Sequence, residues 1–155
     1  MTFRRNTSNT AAIAAHLWSC GESFTFNLSK KVDIFEYSEK LEKRAERFEA
    51  WETNTLVGLL AGYFNSSSRK GFISNLSVLP KSQGNGLAST LLKDFLEHAL
   101  AVNIQSIELQ VDADNTGAIR LYERHGFLPE PTQDTESVRT FNLFIKQCNA
   151  ITIRS

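Results

Sequence analysis

Apolar residues recur at helical spacing in several segments of the chain. Three of them are long, with the sequences NTAAIAAHLWSCG, DIFEYSEKLEKRAERF and LASTLLKDFLEHALAV. Gly21 suits the left-handed end of the first helix, and Asp33 with Glu36 forms a capping-box-like start for the second. A shorter segment, NTGAIRLYERHG, has Asn115 as an N-cap and Gly126 as a stop. The pattern predicts four helices, and the third carries the strongest apolar stripe.

Strand-like runs of β-branched and aromatic residues lie between these helices. The predicted strands are RFEAWE, TLVGLLAGYF, GFISNLSV, SIELQV and VRTFNLFI. The first two form an antiparallel pair across a turn at Thr53 and Asn54, and the second of them is apolar on both faces. SIELQV alternates between apolar and polar positions, so one of its faces is buried. These elements predict one mixed α/β domain over residues 1–155.

Composition narrows the classes of partner. Seventeen Lys and Arg balance seventeen Asp and Glu, so no bulk field draws the chain to nucleic acid or to a membrane. No apolar run approaches the roughly 20 residues that span a bilayer, and residues 1–18 are interpreted as a first helix, not as a signal peptide. Cys20 and Cys148 suggest neither a disulfide framework nor a metal site, although a single bridge stays open. A cytoplasmic protein without a metal is expected.

The stretch VLPKSQGNGLAS, residues 78–89, carries two glycines between a strand and a helix. The first N–H groups of a helix have no intrahelical partner and favour an anion, and a glycine has no Cβ to keep a phosphate away. The stretch is therefore either a phosphate cradle or a tight turn. Neither glycine is followed by Lys-Ser or Lys-Thr, which excludes the P-loop. The dinucleotide fingerprint fits poorly because a spacer separates strand from glycines and no second βαβ half follows.

Two spaced motifs resemble those of the GCN5-related N-acetyltransferase (GNAT) superfamily. The cofactor motif V-x-P-x-x-[QR]-G-x-[GA] is matched at Val78, Pro80, Gln83, Gly84 and Gly86. A second motif, N-x-x-A-x-x-L-Y-x-x-x-G-F, is matched at Asn115, Ala118, Leu121, Tyr122, Gly126 and Phe127. The resemblance implies the GNAT fold, a mixed and mostly antiparallel central sheet with two splayed parallel strands in the middle and helices on both faces.

The resemblance also implies acetyl-CoA as co-substrate, bound between the splayed strands GFISNLSV and SIELQV. Backbone N–H groups of the glycine loop and the following helix turn would hold the pyrophosphate, with the Ser89 hydroxyl near by. Backbone groups of Leu76 and Val78 would pair with the pantetheine arm, the Val78 N–H would polarise the acetyl carbonyl, and Asn115 would bind the arm from the opposite side. The loop residues concerned are Gln83, Gly84, Asn85, Gly86, Leu87 and Ala88.

The chemistry implied is attack by a neutral primary amine on the thioester. Tyr122 stands where the family's general acid usually lies, and a phenol can protonate a thiolate of similar basicity without a large penalty. Glu22, Glu108 and a chain of water molecules remain alternatives for the base. Asn75 and Ser77 alternate with the cofactor-binding positions, so they either contact the acceptor or lie on a partly solvated face.

The acceptor is expected to be a small molecule, and the resemblance implies that its pocket is formed by about residues 19–34 and 128–137. Lys30 and Lys31 would suit an anionic acceptor such as an amino-sugar nucleotide, while no anionic pocket for polyamines is indicated. Two alternatives stay open: a protein or peptide N-acetyltransferase, and a non-catalytic acyl-CoA-binding regulatory module. Dimerisation is common in the family, and the sequence leaves a homodimer open.

Histidines and tryptophans invite other roles, which the pattern does not favour. His16 and His98 lie among polar neighbours on helices and are expected to be exposed. His125 falls in a last helical turn, where a cation is favourable, so it is expected to cap that helix. Trp18 and Trp51 are expected in the core.

Overall fold

The central layer is a mixed sheet. Among the described residues, its one parallel pair of strands lies in the middle of the sheet. The computed structural model describes residues 1–21, 33–131 and 137–145. The sheet order is β1-β2-β3-β4-β5-β7-β6, and each neighbouring pair except β4–β5 is antiparallel. The strands are β1 (Thr2–Arg5), β2 (Glu46–Glu52), β3 (Thr55–Asn65), β4 (Lys70–Val78), β5 (Ser106–Asp112), β6 (Leu128–Pro129) and β7 (Val138–Phe144).

Four α-helices are described, and in three of them a side chain satisfies one of the first N–H groups. They are α1 (Thr10–Cys20), α2 (Ile34–Arg44), α3 (Leu87–Ala101) and α4 (Thr116–Arg124). Asn9, Asp33 and Asn115 cap α1, α2 and α4, accepting from the backbone N–H three residues on at 2.8, 3.0 and 3.2 Å. The two caps predicted from the sequence, Asp33 and Asn115, are thus confirmed.

The helices lie on both faces of the sheet. A Cβ built on Gly58 of β3 would lie 3.1 Å from Leu91 of α3 and 3.8 Å from Val78 of β4. The neighbouring residue Ser77 instead bonds His16 of α1. Because successive strand residues face opposite sides, α1 and α3 must cover opposite faces. The mixed, mostly antiparallel sheet with a central parallel pair confirms the predicted fold class.

Phe95 lies at the centre of the core that α3 buries. Its ring stacks on Phe64 at 5.0 Å between centroids and meets Phe48 edge-on at 5.5 Å. Leu91 and Leu92 continue the same buried stripe, as the periodicity predicts. Each such side chain contributes about 2–3 kcal/mol on burial. The stripe therefore holds α3 against β2 and β3.

A buried carboxylate anchors the start of α1. Glu49 of β2 is fully buried and accepts hydrogen bonds from the backbone and hydroxyl groups of Thr7 and Ser8. Arg47 Nε lies 3.6 Å from the same carboxylate. Burial acts to raise the pKa of Glu49, but the hydrogen bonds from Ser8 and Thr7 outweigh it, so the pKa is lowered and the carboxylate stays charged. The segment before α1 is thereby tied to the sheet.

The structure corrects several boundaries. Residues Thr2–Arg5 form edge strand β1, which the sequence pattern missed because all four residues are exposed and do not alternate. The second helix ends at Arg44, and Phe48 belongs to β2 despite its helical spacing, since Ala45 is already extended. The two-residue strand β6 was also not predicted. The turn at Thr53 is confirmed, with φ of 54°.

Candidate active site

A cleft opens where the two central parallel strands part. β4 and β5 pair only from Lys70 with Ser106 to Ile73 with Leu109. Beyond that point β4 stays paired with β3, and β5 stays paired with β7. The opening between them belongs to a cavity of about 750 Å³. A ligand arm of strand-like dimensions can therefore enter the sheet here.

Backbone groups at the end of β4 point into this opening. The Leu79 N–H donates to the Val57 carbonyl of β3 at 2.9 Å. Successive residues of a strand direct their backbone N–H groups alternately to its two edges. Because the Leu79 N–H points to β3, the N–H groups of Val78 and Leu76 point to the opposite edge and face the cleft. Gln83 Nε2 donates to the Val78 carbonyl at 3.1 Å and ties the glycine loop to the strand. The geometry suits the roles predicted for Leu76 and Val78.

The glycine loop forms an open cradle at the start of α3. Gly84 and Gly86 have φ of +86° and +76°, a region that costs other residues energy, and a Cβ at either would meet nothing within 4 Å. The first intrahelical N–H bond of α3 runs from Thr90 to Gly86, and no described side chain caps the helix. The N–H groups of Leu87, Ala88 and Ser89 therefore lack helical partners and face the cleft with the positive end of the dipole. This arrangement fits a pyrophosphate.

Most of the predicted cofactor residues border the cleft. Asn85 is the exception, because it lies in the loop and its side chain turns back to donate to the Ser82 carbonyl at 3.4 Å. Asn115 uses Oδ1 as the α4 cap, which leaves its amide hydrogens to meet a ligand. The lining residues among those predicted are Leu76, Val78, Gln83, Gly84, Gly86, Leu87, Ala88, Ser89 and Asn115.

Helix α4 forms the other wall and presents Tyr122. The side chain is 2% exposed, borders the cleft and meets the Phe127 ring edge-on at 5.7 Å between centroids. The last turn of α4 also reaches the glycine loop, because His125 Nε2 lies 2.9 Å from Ser89 Oγ. Burial, together with Arg124, lowers the pKa of His125. His125 is the C-cap residue of α4, but its ring contacts Ser89 and its pKa disfavours the expected cation.

The sequence pattern did not indicate the charged residues that line the cleft. Asp112 and Asp114 border the cleft at the end of β5, and Arg124 borders it from α4. They lie beside motif residues, in DADN and LYER, so their proximity to the motifs was the available signal. Glu108 is exposed on β5 and does not line the cleft, which weakens it as a base. Glu22, Lys30 and Lys31 lie outside the described residues, as do Cys148 and most of the two segments predicted to bind the acceptor.

Asn75 and Ser77 are buried and do not lie on a partly solvated face. Both are less than 5% exposed, and Ser77 borders the cleft whereas Asn75 does not. Asn75 Nδ2 donates to the Leu59 carbonyl at 3.2 Å and to Ser77 Oγ at 2.9 Å. Of these two residues, Ser77 alone borders the cleft, and Asn75 supports it from behind.

The prediction that His16 is exposed is wrong. Its side chain is 3% exposed, with Nδ1 at 2.8 Å from the Leu56 carbonyl and Nε2 at 2.8 Å from Ser77 Oγ. Burial lowers the pKa of His16 to about 4, against the raising effect of the hydrogen bonds. Trp18, expected in the core, is 73% exposed, while Trp51 is buried as predicted. His98 is half-buried and accepts a hydrogen bond from Arg5.

The buried imidazole makes folding stability depend on pH. We expect the free energy of unfolding to fall by about 3 kcal/mol as the pH drops from 6.5 to about 4, on account of His16 alone. The unfolded chain takes up the proton first, so the contribution is complete above the unfolded pKa and is lost as the pH falls toward the folded one. Urea unfolding of the parent and of His16→Gln across this range measures it. Parallel pH curves for the two proteins would contradict the assignment.

Two observations concern metals and membranes. Across the described ranges, no group of three or more His, Cys, Asp and Glu side chains is placed to hold a metal ion. Among the helices of the same ranges, none has the length and apolarity needed to cross a membrane.

Comparisons with known proteins agree with the cleft geometry. Residues 9–127 match the model of the Acetyltransferase (GNAT) family. The chain is 38% identical over 80 residues to a mycothiol acetyltransferase of Streptomyces griseus, covering 52% of this chain and 26% of that protein. It is 30% identical over 70 residues to the L-2,4-diaminobutyric acid acetyltransferase of Vibrio parahaemolyticus, covering 44% of this chain and 39% of that protein. The matches therefore span well under half the length of these curated relatives.

A solved structure shares the fold. The PaiA N-acetyltransferase of Thermoplasma acidophilum, in complex with coenzyme A, superposes with a TM-score of 0.69. The match covers 93% of this chain and 99% of that one at 15% identity. At that identity the likeness concerns the architecture of the sheet and helices.

Proposed function

Because the chain belongs to the GNAT acetyltransferase family, we propose that it transfers the acetyl group of acetyl-CoA to a primary amine of a small molecule. The observation that carries the proposal is the cleft itself. Unpaired strand edges, an uncapped helix start and a tyrosine meet in one cavity of about 750 Å³. These features match, in order, the needs of a pantetheine arm, a pyrophosphate and a leaving thiolate.

Residues of this chain would bind acetyl-CoA along the full length of the cleft. The N–H groups of the first turn of α3 bind the pyrophosphate, helped by the open sides of Gly84 and Gly86. Leu76 and Val78 pair with the pantetheine arm, and the amide of Asn115 donates to it from α4. The bound group supplies an acetyl thioester at the end of that arm. The residues with which we propose this binding are Leu76, Val78, Gln83, Gly84, Asn85, Gly86, Leu87, Ala88, Ser89 and Asn115.

Transfer then depends on donors placed near the thioester. The Val78 N–H polarises the acetyl carbonyl and stabilises negative charge that develops on its oxygen. A neutral amine attacks the carbonyl carbon, and the carbon–sulfur bond breaks. Tyr122 gives its proton to the departing sulfur and regains one from the amine nitrogen or from solvent. Tyr122 borders the cleft, which supports this role.

The proposed acceptor is a small molecule with a primary amine. Two relatives at 30% identity or more are named for small molecules, mycothiol and L-2,4-diaminobutyric acid. The balanced net charge favours such an acceptor over nucleic acid. An amino sugar or amino-sugar nucleotide remains the more specific proposal from the sequence. A cytoplasmic location and a homodimer remain predictions from the sequence.

The first experiment titrates the purified chain with acetyl-CoA and, separately, with NAD by calorimetry. Binding of acetyl-CoA alone is expected, with a Kd on the order of micromolar. Binding of NAD alone would overturn the proposal, and if neither ligand binds, the glycines form only a tight turn.

Thiol release then identifies the acceptor class. The panel holds 2,4-diaminobutyrate, glucosamine, a nucleotide-linked amino sugar, spermidine and a peptide with a free N-terminus. We expect turnover with one or more of the first three. Turnover with the peptide alone would establish the protein-acetylating alternative, and activity confined to spermidine would exclude the amino-sugar proposal. Cofactor binding without transfer to any member would establish a non-catalytic acyl-CoA-binding module.

A further inference from the structure

A continuous chain of hydrogen bonds runs beneath the cleft. It links the Leu56 carbonyl to His16 Nδ1, His16 Nε2 to Ser77 Oγ, and Ser77 Oγ to Asn75 Nδ2. Asn75 Nδ2 also reaches the Leu59 carbonyl at 3.2 Å. The three side chains are buried, and of the three only Ser77 borders the cavity.

The two carbonyls at the ends determine the direction of every bond. A carbonyl can only accept, so His16 carries its hydrogen on Nδ1, and in the neutral ring Nε2 must accept. Ser77 therefore donates its hydroxyl hydrogen to Nε2. By the same argument Asn75 turns its NH₂ group, not its oxygen, toward Leu59, and its second hydrogen goes to Ser77 Oγ. One lone pair of Ser77 Oγ then remains, which the Cys20 thiol meets only as a weak donor and which an N–H from the cleft can take over.

The surroundings keep this polarity in place. Burial holds the pKa of His16 at about 4, so the ring is neutral near pH 7 and does not store a proton. Cys20 Sγ lies 3.5 Å from His16 Nε2, and burial, opposed by a hydrogen bond with Ser77, raises its pKa to about 11. The thiol is thus protonated and adds a weak donor without charge. A thiol is a weaker donor than a hydroxyl, and its 3.5 Å contact with His16 Nε2 is longer than the 2.8 Å contact of Ser77 Oγ, so the Ser77 hydroxyl keeps the imidazole acceptor.

We propose that His16 and Asn75 are positioning residues, which fix Ser77 Oγ as a hydrogen-bond acceptor for an N–H of the incoming amine. The inference rests on the proposed acetyl transfer and deepens it by naming a specificity determinant. Ser77 adjoins Val78, whose N–H faces the same cleft, so the amine would be held beside the acetyl carbonyl. Because the hydroxyl hydrogen of Ser77 is donated to His16, its oxygen can only accept a hydrogen bond. It therefore binds an N–H donor and disfavours a carboxylate or carbonyl at the same position.

Three variants test the role of the chain. Ser77→Ala removes the acceptor, His16→Phe fills the space without an acceptor for Ser77, and His16→Gln offers an amide oxygen in its place. With the panel amine that the parent acetylates fastest, we expect Ser77→Ala and His16→Phe to raise the KM for the amine about tenfold with little change in kcat. His16→Gln should return KM to near the parent value. His98→Phe is the matched control, because His98 is a half-buried histidine that takes no part in these hydrogen bonds.

Two further readouts separate the possible failures. Calorimetry with acetyl-CoA should give the parent affinity in each variant, which shows that the fold and the cofactor site persist. Long-range proton–nitrogen NMR at neutral pH should show His16 as the neutral Nδ1–H tautomer, and an Nε2–H tautomer or a charged ring overturns the inference. An unchanged KM in Ser77→Ala overturns it while leaving acetyl transfer intact. If the parent acetylates no amine, the proposed function fails and this inference fails with it.

Discussion

Replacing Tyr122 with phenylalanine is expected to lower kcat at least about 100-fold while leaving the affinity for acetyl-CoA within about twofold of the parent. The substitution removes one hydroxyl from the wall of the cleft and keeps the ring that packs edge-on against Phe127. Without the phenol the sulfur must leave as a thiolate or take a proton from water, which raises the barrier for that step. The rate of thiol release gives kcat, and calorimetry gives the affinity for acetyl-CoA.

Tyr63→Phe is the matched control for that experiment. Tyr63 lies on β3 and does not line the cleft. It is five residues away from Gly58, which is the residue of β3 that pairs with Val78. Its buried hydroxyl has no hydrogen-bond partner among the described residues, so its removal should cost little stability. We expect the turnover of this variant to equal that of the parent. A Tyr122→Phe enzyme that is equally active would remove the proton-donating role from Tyr122.

The cofactor side of the cleft could be predicted from sequence because its signals are local. A strand, a short spacer, two glycines and a helix follow one another within residues 71–101, and each has its own pattern. Gly84 and Gly86 do adopt the left-handed conformation, and Asn115 does cap α4. Tyr122 is predicted from the resemblance to the GNAT motif, and it lies two turns after that cap, on the border of the cleft.

The polar chain beneath the cleft could not be predicted, because its members are far apart in sequence. His16 and Ser77 are separated by 61 residues, and nothing in AAHLW distinguishes a buried histidine from an exposed one. Trp18, two residues further on, has the more apolar side chain and yet faces outward. Burial of His16 depends on its two hydrogen-bond partners in the sheet, the Leu56 carbonyl and the Ser77 hydroxyl. Helical periodicity does not reveal such partners.

Replacing Gly86 with valine is expected to raise the Kd for acetyl-CoA at least about 100-fold. Gly86 has φ of +76°, and the space beside its Cα is empty to 4 Å. Valine in that conformation is strained, and relief of the strain rotates the loop and the first N–H groups of α3 away from the cradle. The added methyl groups also stand where the phosphate would approach. Losing two charge-assisted hydrogen bonds, at about 1.5–3 kcal/mol each, accounts for the size of the effect.

Gly21→Val separates backbone strain from loss of the cradle. Gly21 also has a positive φ, of 55°, and open space for a Cβ, but it ends α1 and does not line the cleft. Gly21→Val should lose at least as much stability in thermal unfolding as Gly86→Val, on the order of 1–3 kcal/mol, because Gly21 has ψ of −121°, outside the left-handed helical region that Gly86 adopts with ψ of 11°. Only Gly86→Val should lose the cofactor in calorimetry. An affinity that falls equally in the two variants would mean that strain, and not the cradle, governs binding, and an affinity that falls in neither would place the pyrophosphate elsewhere than at the start of α3.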